Sequence, residues 1–361
     1  AMVTVKDEVK PVVITKDITV QLDASGAASI VAADVNDGSS DACGIKSMSV
    51  SPSTFACSDI VSSPITVTLT VTDKNDNVET ATAMVTIEDK IAPIVKTNAI
   101  TVQLDATGSA TITTTQADNN STDNCGIDTF KLSKDTFTCD DLGLSTVTLT
   151  ATDASGNVSL PVNVEVTVQD TTAPVVNTND IIVSLDASGN VSIVPSQINN
   201  GSTDNCSIAS YSLDKTTFNC SNVGPNTVTL TVIDSKGNSA SETAVVTVED
   251  AIDPIVSTRN IVIQLDSLGA ASIVVSDINN GSTDNCGIKT YTLSKSSFDC
   301  DNVGDNTVTL TAEDNAGNSS SETATVTVQD KVLPTVVAKN ITVQLDATGT
   351  VTITPDRKSV V

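Results

Sequence analysis

The sequence predicts an all-β chain built from small antiparallel β-sandwiches in tandem. Three observations carry this. Short runs alternate apolar residues with Thr or Ser, as in Thr227–Ile233, where Val228, Leu230 and Val232 share one face. Turn residues separate such runs roughly every 8–12 residues, the spacing of a sandwich. Near copies of one segment follow each other along the 361 residues, beginning at Ser40, Ser121, Ser202 and Ser282.

Proline sets the period. Pro11, Pro93, Pro174, Pro254 and Pro334 each follow a strand ending in Asp, at Asp7, Asp89, Asp170, Asp250 and Asp330. Boundaries placed after those Asp residues give four full repeats, 8–89, 90–170, 171–250 and 251–330, and an incomplete fifth, 331–361. Residues 1–7 read as the tail of a preceding repeat, with Ala1-Met2 as a cloning remnant of an excised fragment. A repeat of this size can hold its own core, so the copies are expected to be linked domains and not solenoid turns.

The third repeat shows the strands most clearly. Val175–Val176 follows Pro174, and Ile181–Leu185 leads to the turn Asp186-Ala187-Ser188-Gly189. Val191–Val194 precedes a polar loop, 199–205. Ile208–Leu213, Thr217–Cys220, Thr227–Ile233 and Thr243–Val248 complete seven short strands, the count of an immunoglobulin-like sandwich. Gly189 and Gly237 supply the positive φ that their turns require. Phe137, Phe218 and Phe298 are assigned to the core, and Tyr211 and Tyr291 to packing. In the fifth repeat, Ile341–Leu345 and Val351–Ile353 read as two strands, too few to bury a core alone.

Composition narrows the function. The chain has 44 acidic and 18 basic residues, a net charge of −26, and 2% aromatics. Such a field repels phosphate backbones, so nucleic acid is not expected as a partner. No apolar run is long enough to span a membrane as a helix. With no His, neither a Ser-His-Asp nor a Cys-His arrangement exists, and an enzyme is not expected.

Eight cysteines form four sequence pairs, Cys43/Cys57, Cys125/Cys139, Cys206/Cys220 and Cys286/Cys300, each pair 14 positions apart. No CxxC and no His point to zinc. A disulfide within each repeat is the expectation, with free buried thiols as the other reading. Disulfides imply an oxidising, extracellular location at the cell surface.

Three acidic features recur. They are the S-T-D-N-C loop with Asp123, Asp204 and Asp284; the D-x-x-G-N turn from Asp153 to Asn157, Asp234 to Asn238 and Asp314 to Asn318; and the terminal Asp89, Asp170 and Asp250. In an immunoglobulin-like sandwich all three reach the end where the chain enters. These residues are therefore candidate ligands for Ca²⁺, which takes six to eight oxygens, at each junction. Turn capping by Asp and Asn without a metal is the competing reading. The first repeat departs from the pattern with Asp41-Ala42 and Asp73-Lys74-Asn75-Asp76-Asn77.

The opening D-x-x-x-P, the central F-x-C-x-N-V-G-x-N-T-V-T-L-T (Phe218 to Thr231), D-x-x-G-N and the closing V-T-V-x-D resemble the hyalin repeat (HYR) family over nearly the whole chain. The near-identical copies also resemble the repetitive parts of giant bacterial surface adhesins, including gliding-motility adhesins exported by the type IX system. The resemblance implies immunoglobulin-like, extracellular, adhesion-associated modules and supplies no catalytic residues. The expectation is thus a stalk segment of a surface adhesin that contacts an extracellular surface or polysaccharide through other parts of a larger protein. A polysaccharide- or protein-binding module is the alternative, against which the absence of Trp speaks.

Overall fold

The structure, a computed structural model, describes residues 1–354. The chain divides into two compact units. One holds Ala1–Thr178, Asn199–Ser212 and Thr229–Glu242; the other holds Asn179–Ile198, Leu213–Val228 and Thr243–Val361.

In the first unit, Ile65–Asp73 and Val78–Glu88 pair antiparallel, and Ile45–Ser51 adds to the outer side of Ile65–Asp73. Ile18–Gln21 joins the other edge, parallel to Val78–Glu88. A two-stranded ribbon of Ala27–Ser29 and Thr54–Ala56 forms the opposing layer. The same plan follows with Ile100–Gln103, Val162–Gln169, Gly143–Asp153 and Ile127–Leu132 in one sheet and Ser109–Thr111 with Thr136–Thr138 in the ribbon. In the second unit, Ile261–Gln264, Ser319–Gln329, Gly304–Asp314 and Ile288–Leu293 repeat the sheet, and Ala271–Ser272 with Ser297–Phe298 the ribbon. That unit also pairs Ile181–Ser184 in parallel with the end of Ser239–Glu249, and Asn190–Ser192 with Thr217–Asn219.

Alternation places the cores. Val67, Leu69 and Val71 are fully buried, while Thr66, Thr68, Thr70 and Thr72 between them are not. Each such aliphatic side chain contributes about 1.5–3 kcal/mol relative to an exposed position. Val228, Leu230 and Val232 are likewise fully buried, and Phe137, Phe218 and Phe298 lie in the core as expected. Above those rings sit Lys134, Lys215 and Lys295, at 5.2, 4.5 and 5.1 Å from the centroids. Tyr291 packs against its core cluster, whereas Tyr211 is 39% exposed.

Four differences from the sequence expectation stand out. The sheets are not purely antiparallel, because the entering strand lies alongside the closing one. Val175 forms only an isolated bridge to Thr203 in place of a strand. Single helical turns, Ala32–Val35, Thr114–Ala117, Pro195–Ile198 and Val275–Ile278, follow the second strands. Each buries one apolar residue: Val35, Ala117, Ile198 and Ile278 are all fully buried. Four residues are too few to show a helical period. Ile341–Leu345 and Val351–Ile353 form no strands, and residues 331–354 are exposed throughout; residues 355–361 of the expected fifth repeat lie outside the described residues.

Candidate metal centre

At the end of the first repeat, strand Val78–Glu88 delivers Asp89 to the loop that precedes Ile127–Leu132 and to the end of Gly143–Asp153. One carboxylate oxygen each from Asp89, Asp123 and Asp153 lie within 4.8 Å of one another. The same grouping recurs with Asp170, Asp204 and Asp234, and with Asp250, Asp284 and Asp314. The two outer members of every triad are buried; Asp89, Asp170 and Asp250 are only 4, 6 and 7% exposed.

Hydrogen bonds fix the scaffold. Asp153 accepts the N–H groups of Ser155 and Asn157 at 2.9 and 2.8 Å and the Asn157 amide at 2.8 Å. The Asn157 amide also donates to the backbone carbonyl of Asp89 at 3.1 Å, which ties the arriving strand to the turn. Asn238 does the same for Asp170 at 3.1 Å, and Asn318 for Asp250 at 2.9 Å. These three Asn residues, candidate ligands by sequence, thus act as clamps through their amide nitrogens. Asp123 accepts the Cys125 N–H at 2.8 Å, and Asp89 accepts the Ile91 N–H at 3.0 Å. The Asn124 amide donates to Asp89 and to the Asp23 carbonyl, both at 3.2 Å.

What remains is a set of oxygens with no partner. Asp89 Oδ2, Asp123 Oδ1 and Asn124 Oδ1 are buried and accept no hydrogen bond. The identical trio recurs as Asp170 Oδ2, Asp204 Oδ1, Asn205 Oδ1 and as Asp250 Oδ2, Asp284 Oδ1, Asn285 Oδ1. An unpartnered buried acceptor costs about 1–3 kcal/mol, more when charged. Three carboxylates this close also repel one another, and none of the ion pairs among the described residues reaches them. A donor set of carboxylate and amide oxygens with no sulfur or imidazole fits a hard divalent cation. Asn124, Asn205 and Asn285 were absent from the sequence candidates, although the D-N pair of each loop carries them.

At Asp234, burial pushes the carboxyl up. The Asn238 amide and the N–H groups of Lys236, Asn238 and Gly237 outweigh it, and the group sits below its usual range. Asp73 behaves the same way through Asn77. Both are anionic at neutral pH. In the first repeat only Asp7, Asp41 and Cys43 come together, and Ala42 stands where the other loops carry Asn.

The disulfides correct the sequence expectation. Cys57 bonds Cys125, Cys139 bonds Cys206 and Cys220 bonds Cys286, with Cα–Cα distances of 5.3, 5.4 and 5.3 Å. Each joins one repeat to the next, and Cys43 and Cys300 are free and exposed. The pairs 14 residues apart do not form, because at least one cysteine of each is bonded to a cysteine of another repeat. Each bridge packs against a ribbon turn. A Cβ on Gly26, Gly108 or Gly189 would lie 2.6, 2.8 or 2.6 Å from the sulfur of Cys57, Cys139 or Cys220.

The chain is 31% identical over 220 residues to hyalin of Strongylocentrotus purpuratus, a match covering 58% of this chain and 18% of hyalin. It therefore spans less than a fifth of that relative's length. No protein-family model matches. Among solved structures, protocadherin gamma B7 extracellular cadherin domains 1–4 align with a TM-score of 0.29 at 15% identity, covering 87% of this chain and 100% of that one. Drosophila N-cadherin domains EC1–4 give 0.26 at 12% identity, covering 73% and 83%. The N-terminal eight Ig domains of Down syndrome cell adhesion molecule give 0.27 at 11%, covering 89% and 55%. The molecule itself is a nearly all-β tandem array with three disulfides.

Proposed function

We propose that this chain is a stalk segment of a large extracellular adhesin, with the sequence boundaries 8–89, 90–170, 171–250 and 251–330 as its domains and calcium stiffening the joints between them. The observation that carries the cation reading is the trio of buried, unpartnered oxygens at three successive joints. Asp89, Asp123, Asn124 and Asp153 would hold the first ion, with the equivalent residues holding the next two. Ca²⁺ is favoured over Mg²⁺ because loop carboxylates and amides of this kind suit its larger, more flexible coordination, while Mg²⁺ demands near-ideal octahedral geometry. Bound ions would lock each terminal Asp to the following repeat and resist bending.

The adhesion role is supported by the partial identity to hyalin and by the surface-adhesin resemblance of the repeats, and a gliding-motility adhesin belongs to the same proposal. Extracellular placement is supported by the three disulfides. Contact with a surface or polysaccharide is assigned to other parts of the full protein. Isothermal titration with CaCl₂ checks the reading. It predicts three tight sites per chain, with one lost in each of the Asp123→Asn, Asp204→Asn and Asp284→Asn variants. Absence of saturable calcium binding at millimolar concentrations refutes it.

A further inference from the structure

Disulfides that join successive repeats change which part of the chain carries tension. A pull entering from the N-terminal side reaches Cys57 and crosses to Cys125 in one bond, leaving residues 58–124 outside the path. It then runs through 125–139 and crosses to Cys206, and through 206–220 and crosses to Cys286. We propose that the array is a force-bearing filament in which tension runs through the short segments 125–139 and 206–220 and three sulfur bridges. Residues 58–124, 140–205 and 221–285 then form closed loops that tension cannot unravel.

The division of the sequence supports this. The closed loops contain the long core strands, including Ile65–Asp73, Val78–Glu88, Gly143–Asp153 and Val162–Gln169. They also contain every carboxylate of the Asp89 and Asp170 clusters. The load-bearing segment 125–139 consists largely of strand already, Ile127–Leu132 and Thr136–Thr138. A strand at ~3.3 Å per residue is close to the ~3.6 Å limit of a fully extended chain, so such a segment has little length to give. The constant 14-residue spacing of the cysteines thereby acquires a meaning: it sets the length of chain under load in each repeat. Cys300 occupies the same place against Gly269, where a Cβ would lie 2.8 Å from its sulfur, as the three bonded cysteines occupy against their glycines. The inference rests on sulfur connectivity alone and holds whether or not a cation is bound.

Single-molecule stretching between the two chain ends, alongside non-reducing peptide mapping, tests it. The covalent path through the oxidised chain comprises residues 1–57, 125–139, 206–220 and 286–361. At about 3.6 Å per residue, oxidised protein should stop extending at about 580 Å and reduced protein at about 1,300 Å. Reductant should therefore lengthen the chain slightly more than twofold. The double variant Cys139→Ser, Cys206→Ser should raise the oxidised limit by about 240 Å. An oxidised limit of about 1,100 Å would mean four closed loops within repeats and would overturn the proposal. So would equal limits with and without reductant. If the variant fails to fold, the wild-type limits and the map decide, and recovery of a Cys125–Cys139 peptide overturns it.

Discussion

The start of the first repeat and the joint between the first and second are built from the same loops but finished differently. At both, a D-x-x-x-N turn holds the arriving Asp: the Asn77 amide donates to the Asp7 carbonyl and the Asn157 amide to that of Asp89, each at 3.1 Å. At both, an acidic loop residue accepts the N–H of the following cysteine at 2.8 Å, Asp41 from Cys43 and Asp123 from Cys125. At the joint, Asn124 reaches across to Asp89 and Asp23, and Cys125 is bonded to Cys57. At the start, Ala42 makes no such contact and Cys43 is free, its thiol pushed up chiefly by a hydrogen bond to Asp7 and by that residue's charge. Asp89 is buried, whereas Asp7 is only partly so. At both places the turns gather carboxylates; at the joint the Asn124 amide and the Cys57–Cys125 bridge accompany a buried Asp89 whose Oδ2 has no partner.

The largest effect should come from cutting the bridge. Replacing both Cys57 and Cys125 by Ser opens a link of sequence separation 68, and chain-entropy arguments put the loss at about 4 kcal/mol. Denaturant unfolding measures it, and a loss below about 1 kcal/mol would show that the bridge constrains little.

Glycine substitutions sharpen the comparison next. Gly108 has φ +74° and its Cβ would lie 2.5 Å from the Asn205 backbone oxygen; Gly156 has φ +85° and open space around it. Ala at Gly156 should cost about 1–2 kcal/mol for the left-handed conformation alone. Ala at Gly108 should cost clearly more, because a backbone oxygen has no rotamer to retreat to. Equal losses in thermal or denaturant unfolding would mean that the joint is looser than the structure shows.

Smaller effects follow from the Asn. Asn124→Ala converts an interior joint into the first-repeat arrangement and should weaken calcium at that site about tenfold, or about 1.4 kcal/mol. Calorimetric titration reads the change, and unchanged affinity in Asn124→Ala would remove the amide oxygen from the site.

The smallest effect is a pH dependence. Asp73 and Asp234 are held below the ordinary value of 3.8 in the folded chain. Their contribution is therefore fully present above that value and is lost as the pH falls below it through the folded values. The share of stability that these two groups supply to the metal-free protein should be lost only below about pH 4. A stability loss already complete by pH 5 would contradict the assignment.

Much of this was legible in the sequence. Alternation in Thr227–Ile233 locates a core strand, and the loop positions of three recurring acidic motifs in an immunoglobulin-like sandwich point to one end of the repeat, where Asp89, Asp123 and Asp153 lie together. Strand direction was not legible, since alternation at Ile18–Gln21 reads the same in either orientation. The disulfide partners were misread because proximity in sequence was taken for proximity in space. In the fold, Cys125 is bonded to Cys57 of the repeat before and Cys139 to Cys206 of the repeat after. The unpartnered oxygen of Asn124 is not legible behind its neighbour Asp123, since Asn is a common turn residue and its lack of a partner shows only once burial is known.

The most direct measurement of the central claim is thermal unfolding of the oxidised chain in CaCl₂ and in EGTA. Calcium at 100 times its dissociation constant should stabilise each joint by about 2.7 kcal/mol. For repeats of this size that corresponds to a rise in Tm on the order of 10 °C. An identical Tm in both buffers would contradict the account and leave the acidic joints as turns and surface charge.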